Sequence, residues 1–543
     1  MFDKLHRWHM SLLGHALLGA VLLWAALPPL GLAPLALVAP AWWVLLIRRE
    51  RLDGRRPYLT LWMVGFGFWL AVLHWLRLPH PATSIGWVAL SFYFAFYLPV
   101  FVGLSRVAVH QLRVPVILAA PVVWTGLELA RGHLLTGMTM ASLGHALYQW
   151  TALIQLSDLA GAYGVSFVVM LLAASFARMA PCDGKPWAVW PLLPGAAVLG
   201  AALLYGHLRM QGDFAGEPTC VALIQGCIDT ELKSDPGKRA YVHTHYRELT
   251  DEAVVLARTE GKSLGLIVWP ETMLRDTRVT FAADAWQSDQ YESMSREHFL
   301  YALEEAARES TREMRGMARH YGVPMILGVD EHHFGPDRER FFNTAVLVDS
   351  EGEIRGRYAK MHRVLFGEYT PFAEWFPVLK RLTPVAGSLS AGREPAAFEI
   401  DGLRISPNIC YESVMPHVLR RQVLALRRQG FEPDVLVNLT NDGWFWGSSE
   451  LDLHLICGVF RAVECRKPLL IAANTGFSAW IDGDGQIVQR GPRRATGVLL
   501  AEVCPDARRS FYLAWGDWPA GLCLAATGLF AAVGLMRLMG KTL

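Results

Sequence analysis

Three reactive side chains stand at the ends of apolar runs. Cys410 closes LRISPNIC, and Tyr411 and Glu412 follow at once. Glu271 ends LIVWPE, directly after Pro270, and Lys360 sits in RYAKMHRVLFGEYTPF, where a strand runs into a Gly-Glu-Tyr turn. Each has an ordinary reading by itself. A free cysteine is among the residue types most often buried in a core, Glu271 suits a helix N-cap or first turn, and Lys360 suits a solvated surface. Together they make chemical sense. A cysteine needs a base to become a thiolate, and a partly desolvated carboxylate serves where no histidine is in reach. A lysine ammonium, with backbone N–H groups after the nucleophile, steadies the oxyanion of a tetrahedral intermediate. Acyl transfer through a thioester is the reaction class these parts support.

The elements that must position them alternate between β-rich and helical stretches. CVALIQG (220–226), LGLIVWPE (264–271), VPMILGVD (323–330), FFNTAVLVD (341–349), LRISPNICYE (403–412), DVLVNLTND (434–442) and PLLIAANTGFSAWID (468–482) read as strands. Residues 238–259, 297–321, 450–466 and the segment after Pro416 carry apolar residues at helical spacing. Several strands are apolar on both faces, which predicts a sheet covered on both sides in an α/β layered domain. VDSEGEIRGRY and IDGDGQIVQRG have the glycines of hairpin turns, so part of the sheet is antiparallel. On this reading Glu271, Lys360 and Cys410 close three separate strands of one sheet, the usual place for an α/β site.

Hydropathy divides the chain. Its 543 residues are 52% hydrophobic with a mean hydropathy of +0.25, high for a soluble protein of this length. Residues 11–208 are almost continuously apolar, 212–510 have globular composition, and 518–536 are apolar again. With roughly 20 apolar residues needed per span, helices are expected near 10–27, 30–47, 59–77, 85–105, 114–131, 161–179, 187–208 and 518–536. That predicts about eight spans: a transmembrane bundle over 1–211, an α/β domain over 212–510, and a last helix with a short tail over 511–543. Lys4, Arg7, Arg48, Arg49, Arg51, Arg55, Arg56, Arg106, Arg113, Arg178, Lys185, Arg537 and Lys541 flank alternate ends of these spans, and the intervening connections at 28–29, 79–84 and 132–160 hold no Lys or Arg. The positive-inside rule makes the basic side cytoplasmic and the 212–510 domain extracytoplasmic. No small-x-small cleavage site follows the first span, so the N-terminus is expected to be retained.

A net charge of +2, with no long charge run, does not suggest nucleic acid. Eight cysteines without a CxxC pair form neither a disulfide framework nor a zinc site. Cys220, Cys227 and Cys504 remain candidates for pairing, and Cys457 and Cys465 for the core. His243, His245, His332 and His333 lack a third ligand and read as solvated surface, so no metal or other cofactor is expected. Glu128 is the embedded carboxylate of the apolar half, with His74 expected close by in another span.

WPE, then a lysine before GEYTPF, then CYE, in that order, resemble the Glu-Lys-Cys triad of the nitrilase, or carbon–nitrogen hydrolase, superfamily. NLTNDGWF (438–445) and AANTGFSAWID (472–482) look like that superfamily's later strands. The resemblance spans 220–500 and implies an αββα sandwich. With seven spans before it and one after, and with YQWTALIQLSDLAGAYGVSFVV (148–169) leading into the sixth, the chain resembles the apolipoprotein N-acyltransferase family. That resemblance implies an inner-membrane enzyme facing the periplasm. Its donor would be a phospholipid, usually phosphatidylethanolamine, and its acceptor the N-terminal diacylglyceryl-cysteine of a lipoprotein. It implies Cys410 as nucleophile, Glu271 as base, Lys360 as oxyanion support, Glu368 as a second orienting carboxylate, Tyr411 and Glu412 as holders of the nucleophile's loop, and Asn343 near the site. Trp444, Phe445 and Trp446 in DGWFW are candidates for a lid or lipid contact, or for packing inside the sandwich. Two stretches depart from the family pattern. TGMTMASLGHALYQW (136–150) replaces an aromatic-rich Gly-Phe-Pro-Trp stretch, and Lys233-Ser234 stands where the family tends to have Lys-Trp. The alternatives are a membrane-tethered amidase using the same triad, and a transporter or scaffold with a degenerate nitrilase domain. The intact triad argues against the second.

Overall fold

The computed structural model describes residues 11–181, 187–212, 216–371, 375–376 and 388–539. Of the basic residues used to orient the spans, Lys4, Arg7, Lys185 and Lys541 lie outside the described residues. The chain forms two compact units, Met1–Gly212 with Ser510–Leu543, and Asp213–Arg509.

The first unit is helical. Its main helices are α1 (Leu12–Ala26), α2 (Ala39–Arg48), α3 (Pro57–Val72), α4 (Thr83–Phe94), α5 (Tyr97–Arg106), α6 (Val116–His133), α7 (Ala162–Met179) and α8 (Leu192–Arg209), joined by the C-terminal Trp518–Met539. Each range expected to span holds a helix. Among the described residues, four are long and apolar enough to cross a membrane: Thr83–Gln111, in which α4 and α5 run on through a π turn, α7, α8 and Trp518–Met539. The rest fall short for local reasons. Prolines at 28, 29, 34, 40 and 57 cut the first three apolar helices to shorter lengths, and α6 carries Glu128 and Arg131 on its buried face. Polar residues inside this unit are thus more numerous than the sequence suggested. Glu128 accepts from Trp124 Nε1 (3.0 Å) and the Leu143 N–H (2.8 Å), whereas His74 bonds the Ala71 carbonyl. Arg131 donates to Ser142 and stacks over Trp69, and Asp158 pairs with Arg209. These groups support irregular backbone between α6 and α7, which is tolerated at such depth when protein covers it. At one end of the bundle Arg48 donates to the Ala180 carbonyl and Arg106 to the Glu50 carbonyl. Three of the basic helix ends therefore meet in one place, each guanidinium on carbonyls at a helix C-terminus.

The second unit contains two mixed sheets. One has the order β13-β1-β2-β4-β5-β6, with β3 also on β4: β1 (Thr219–Gln225), β2 (Leu264–Val268), β3 (Leu274–Phe281), β4 (Met325–Phe334), β5 (Glu339–Val348), β6 (Ile354–Ala359) and β13 (Gly497–Val503). The other has the order β12-β11-β10-β9-β8-β7: β7 (Phe398–Ile400), β8 (Leu403–Ile409), β9 (Val435–Thr440), β10 (Leu469–Ala473), β11 (Ala479–Ile481) and β12 (Ile487–Arg490). Parallel strands form each centre, and the two expected hairpins, β5–β6 and β11–β12, are antiparallel additions.

Period-2 alternation assigns the faces. Val221, Leu223, Leu266, Val268 and Ile326 point at Ile405, Ile409, Val437 and Leu439 of the other sheet. Ala222, Ile224, Ile267 and Met325 point outward, under α9 (Arg239–Thr259) and α10 (Arg296–Tyr321). α11 (Pro416–Arg428) starts on a proline and buries Leu419, Val423 and Leu426. α12 (Glu450–Cys465) packs on the far side of the second sheet, where Gly458 admits Leu469 and Ile471. α10 is capped by Ser295, whose side chain accepts from the His298 N–H, and ends at Gly322 in the left-handed region. The layers are therefore α–β–β–α. One expectation needs correcting: Glu271 and Lys360 follow strands of the first sheet, but Cys410 follows β8 in the second. Strands apolar on both faces mark coverage, and the sequence does not say whether a helix or another sheet provides it.

Gly328 on β4 is required by close approach. A Cβ there would sit 2.2 Å from the Pro270 carbonyl oxygen and 2.8 Å from Glu271 Cα. Gly328→Ala must displace the turn that carries Glu271. The expected cost is about 1–3 kcal/mol of overpacking, measured as a lower unfolding midpoint of the detergent-purified protein.

Candidate active site

Glu271 lies in a turn after β2, not at a helix start, and is 7% exposed. Its Oε1 accepts from Asn343 Nδ2 at 2.6 Å and Lys360 Nζ at 3.4 Å, and its Oε2 accepts from the Asn441 N–H at 3.0 Å. Lys360 is the first residue past β6 and is buried rather than solvated. Its N–H bonds the Asn343 carbonyl (2.9 Å), continuing the β5–β6 ladder, so Asn343 holds base and lysine at once. Lys360 Nζ also donates to Glu368 Oε1 at 2.6 Å, while Glu368 Oε2 takes the Val364 N–H. Burial alone would pull the lysine's pKa down, but Glu368 and Glu271 outweigh it and hold the ammonium well above its ordinary range.

Cys410 is the first residue past β8 and has φ of +53°, a conformation that costs a non-glycine residue and clusters at functional sites. It opens a short 3₁₀ turn, Cys410–Val414. Its carbonyl accepts from Asn438 Nδ2 and Ser413 Oγ, each at 3.1 Å. Burial first, and then the Glu271 carboxylate, push the thiol's pKa well up against the opposing Lys360. Glu412 is fully buried. It accepts from Tyr358 OH, from the N–H groups of Met361 (2.8 Å) and His362 (2.9 Å), and from the Ile409 N–H (2.7 Å). Tyr411 stacks on the His362 ring. Glu271, Lys360, Glu368 and Asn343 are thus joined by hydrogen bonds, and Glu412 separately ties the end of β6 to the Ile409 N–H just before Cys410.

Trp444, Phe445 and Trp446 stand at the end of the 3₁₀ turn Asp442–Phe445. Trp444 and Phe445 are partly buried. Trp446 is exposed, with the Arg494 guanidinium over its ring at 5.3 Å.

Residues 19–175 match the apolipoprotein N-acyltransferase N-terminal domain, and residues 220–511 match the carbon-nitrogen hydrolase family. The chain is similar to the apolipoprotein N-acyltransferase of Geobacter metallireducens, 32% identical over 92% of each chain. It is also similar to that of Rhodopirellula baltica, 31% identical over 87% of this chain and 88% of the relative. The chain belongs to the apolipoprotein N-acyltransferase family. Among solved structures it is similar to an amidase from Nesterenkonia sp., at 20% identity and a TM-score of 0.35 over 56% of this chain and 95% of that one.

Around the acyltransferase's cysteine turn lie residues that the sequence reading did not single out. His454 Nε2 meets Ser413 Oγ at 2.8 Å, and its Nδ1 meets Asp442 Oδ1 at 3.1 Å. Asp442, Glu450 and His454 bring ligand-type atoms within 4.8 Å of one another. However, both imidazole nitrogens are engaged by protein groups, which leaves no nitrogen lone pair for an ion. The only hint in the sequence was polarity on an otherwise apolar helix face of α12. His243, His245, His332 and His333 are partly buried rather than solvated: His243 pairs with Glu313, His245 bonds the Gly226 carbonyl, His332 pairs with Glu339, and His333 meets Thr280. Cys220, Cys227, Cys457, Cys465 and Cys504 are free thiols.

The site's charges and hydrogen bonds set three outcomes. A thiol with a raised pKa is protonated at neutral pH, so alkylation of Cys410 should be slow at pH 7 and rise through the alkaline range. Glu271→Gln removes a charge that opposes the thiolate and should speed neutral alkylation, while acyl transfer falls roughly 100- to 10,000-fold. Glu412→Gln puts an amide donor against backbone N–H groups. Leaving buried groups unpaired costs about 1–3 kcal/mol each, to be read as a lower unfolding midpoint together with slower Cys410 acylation.

Proposed function

We propose that this acyltransferase moves a fatty acyl chain from a phospholipid, phosphatidylethanolamine in the first instance, to the α-amino group of an N-terminal diacylglyceryl-cysteine. The observation that carries the reading is one carboxylate, Glu271, anchored by Asn343, Lys360 and Asn441 beside a cysteine held in a left-handed turn. In the first step Glu271 takes the Cys410 proton and the thiolate attacks the ester carbonyl. Lys360 and backbone donors steady the oxyanion. The C–O bond breaks, the proton passes to the departing lysophospholipid, and the acyl group remains as a thioester. In the second step the acceptor amine attacks, Glu271 receives its proton, the C–S bond breaks and the thiol is restored. Lys360 stays an ammonium throughout, since two carboxylates flank it.

Both substrates carry chains that belong in a bilayer. About eight spans with basic loops on the cytoplasmic side put residues 212–510 in the periplasm, where the donor is drawn from the outer leaflet of the inner membrane. Trp444, Phe445 and Trp446 serve as lid or lipid contacts, in keeping with the preference of tryptophan for interfaces.

Intact-mass spectrometry after incubation with phosphatidylethanolamine tests this. The expected result is a gain of one acyl chain, absent in Cys410→Ala and discharged by a diacylglyceryl-cysteine peptide. No adduct from phospholipid, together with ammonia release from small amides, would move the protein to the amidase reading.

A further inference from the structure

Lys233 is a cation beside the site that the two steps above leave unused. It lies on the short helix Thr230–Ser234 after β1, partly buried, and its Nζ donates to Thr272 Oγ1. Thr272 directly follows Glu271 and holds φ of +53°, so the ammonium rests against the turn that carries the base. Its charge is felt by Asp330, Glu271 and Cys410. The carboxylates among them are engaged elsewhere: Asp330 faces Arg275 at 3.9 Å, and Glu271 takes Lys360, Asn343 and Asn441. Lys360, for its part, is occupied by Glu368 and Glu271. Among the described residues Lys233 makes no ion pair, and its hydrogen-bond partner is a neutral hydroxyl. An ammonium has three donors. A partly buried ammonium whose hydrogen-bond partner is neutral, with the nearby carboxylates taken by other cations, gains when an anion arrives.

We propose that Lys233 is the anion subsite for the acyl donor, binding its phosphodiester while the neighbouring ester faces Cys410. This rests on the phospholipid-donor reading. The phosphate of a glycerophospholipid lies one glycerol unit from its ester carbonyls, so an ester at the thiol carries its phosphate to the surroundings of the triad. Lysine suits the task as a compact point charge for phosphate. The acceptor's diacylglyceryl thioether has no phosphate, so the subsite acts in the first step only. It is emptied when the lysophospholipid leaves with the proton that Glu271 took from Cys410.

The experiment is single-turnover loading of Cys410, read by intact mass, from phosphatidylethanolamine and from an uncharged p-nitrophenyl ester of the same acyl chain. Wild type, Lys233→Met and Lys233→Arg are compared. Loss of a charge-assisted hydrogen bond predicts that Lys233→Met loads from the phospholipid roughly 10- to 100-fold more slowly. Loading from the neutral ester and discharge by the acceptor peptide should be unchanged, and Lys233→Arg should recover most of the phospholipid rate. Equal slowing on both donors would overturn the proposal and make Lys233 a support for the Thr272 turn. Wild type that loads from the neutral ester but never from phospholipid would remove the donor reading itself. In a further arm, inorganic phosphate added to the neutral-ester reaction should have no effect. Inhibition of wild type that Lys233→Met escapes would assign the subsite to free phosphate and overturn its role in donor binding.

Discussion

The Glu412 carboxylate ties the nucleophile to the lysine. Three of its donors, Tyr358 OH and the N–H groups of Met361 and His362, belong to the end of β6, and the fourth, the Ile409 N–H, belongs to the end of β8. Those strands are in different sheets, and Lys360 and Cys410 are the residues next to the clamped ones. One side chain therefore sets the distance between two groups that no backbone ladder connects. An ionised carboxylate buried this deeply costs several kcal/mol unless donors surround it. Burial raises the Glu412 pKa, while the backbone donors and Lys360 work in the other direction. The position admits an acceptor with two oxygens and little else, which explains why an acid stands two residues after the cysteine.

The same logic governs the reacting groups. Glu271 and Glu368 flank Lys360, so the site is rich in negative charge before any substrate enters, and the thiol beside it stays protonated. A resting thiolate would be exposed to oxidation or to adventitious electrophiles. A thiol that ionises only as Glu271 accepts its proton reacts when a carbonyl is in place. Asn343 and the Asn441 N–H each donate to a different oxygen of Glu271, which fixes the carboxylate's direction and leaves lone pairs to accept a proton.

The strand-closing positions of Glu271, Lys360 and Cys410 were legible because each stands at the end of a β-rich run. Helices α9 to α12 were legible from their spacing. The sheet to which Cys410 belongs was not: β8 and β2 both read as buried strands, and their partners are set by contacts remote in sequence. β3, β7 and β13 escaped for a related reason. LRDTRVTF is polar on one side and pairs at an edge, FEI is three residues long, and GVLLAEV gains its place only by pairing with β1. In the apolar half the helices were visible but their lengths were not, because prolines at 28, 29, 34 and 40 interrupt the first two apolar runs and α3 gives way to a 3₁₀ turn over His74–Arg77. Arg131 and Asp158 were overlooked because hydropathy averages hide single charges; inside the unit Asp158 pairs with Arg209, and Arg131 rests on the Ser142 hydroxyl and the Trp69 ring.

Behind the nucleophile, hydrogen-bond bookkeeping fixes a proton. Ser413 Oγ donates to the Cys410 carbonyl, so the hydroxyl must accept from His454 Nε2, which therefore carries a hydrogen. His454 Nδ1 faces Asp442 Oδ1, which already accepts from Thr440 Oγ1. Two acceptors in contact would repel, so this nitrogen is protonated as well and the imidazole is a cation. Burial would oppose that charge, but Asp442 outweighs it and holds the His454 pKa above its ordinary range. Glu450, at the edge of the cluster, has its pKa pushed well up by burial and by Asp442. The cluster pairs the imidazolium with the Asp442 carboxylate. Its outermost hydrogen bond ends on the carbonyl of the residue that attacks, so the left-handed turn at Cys410 is held from below by a buried ion pair and from the side by Glu412.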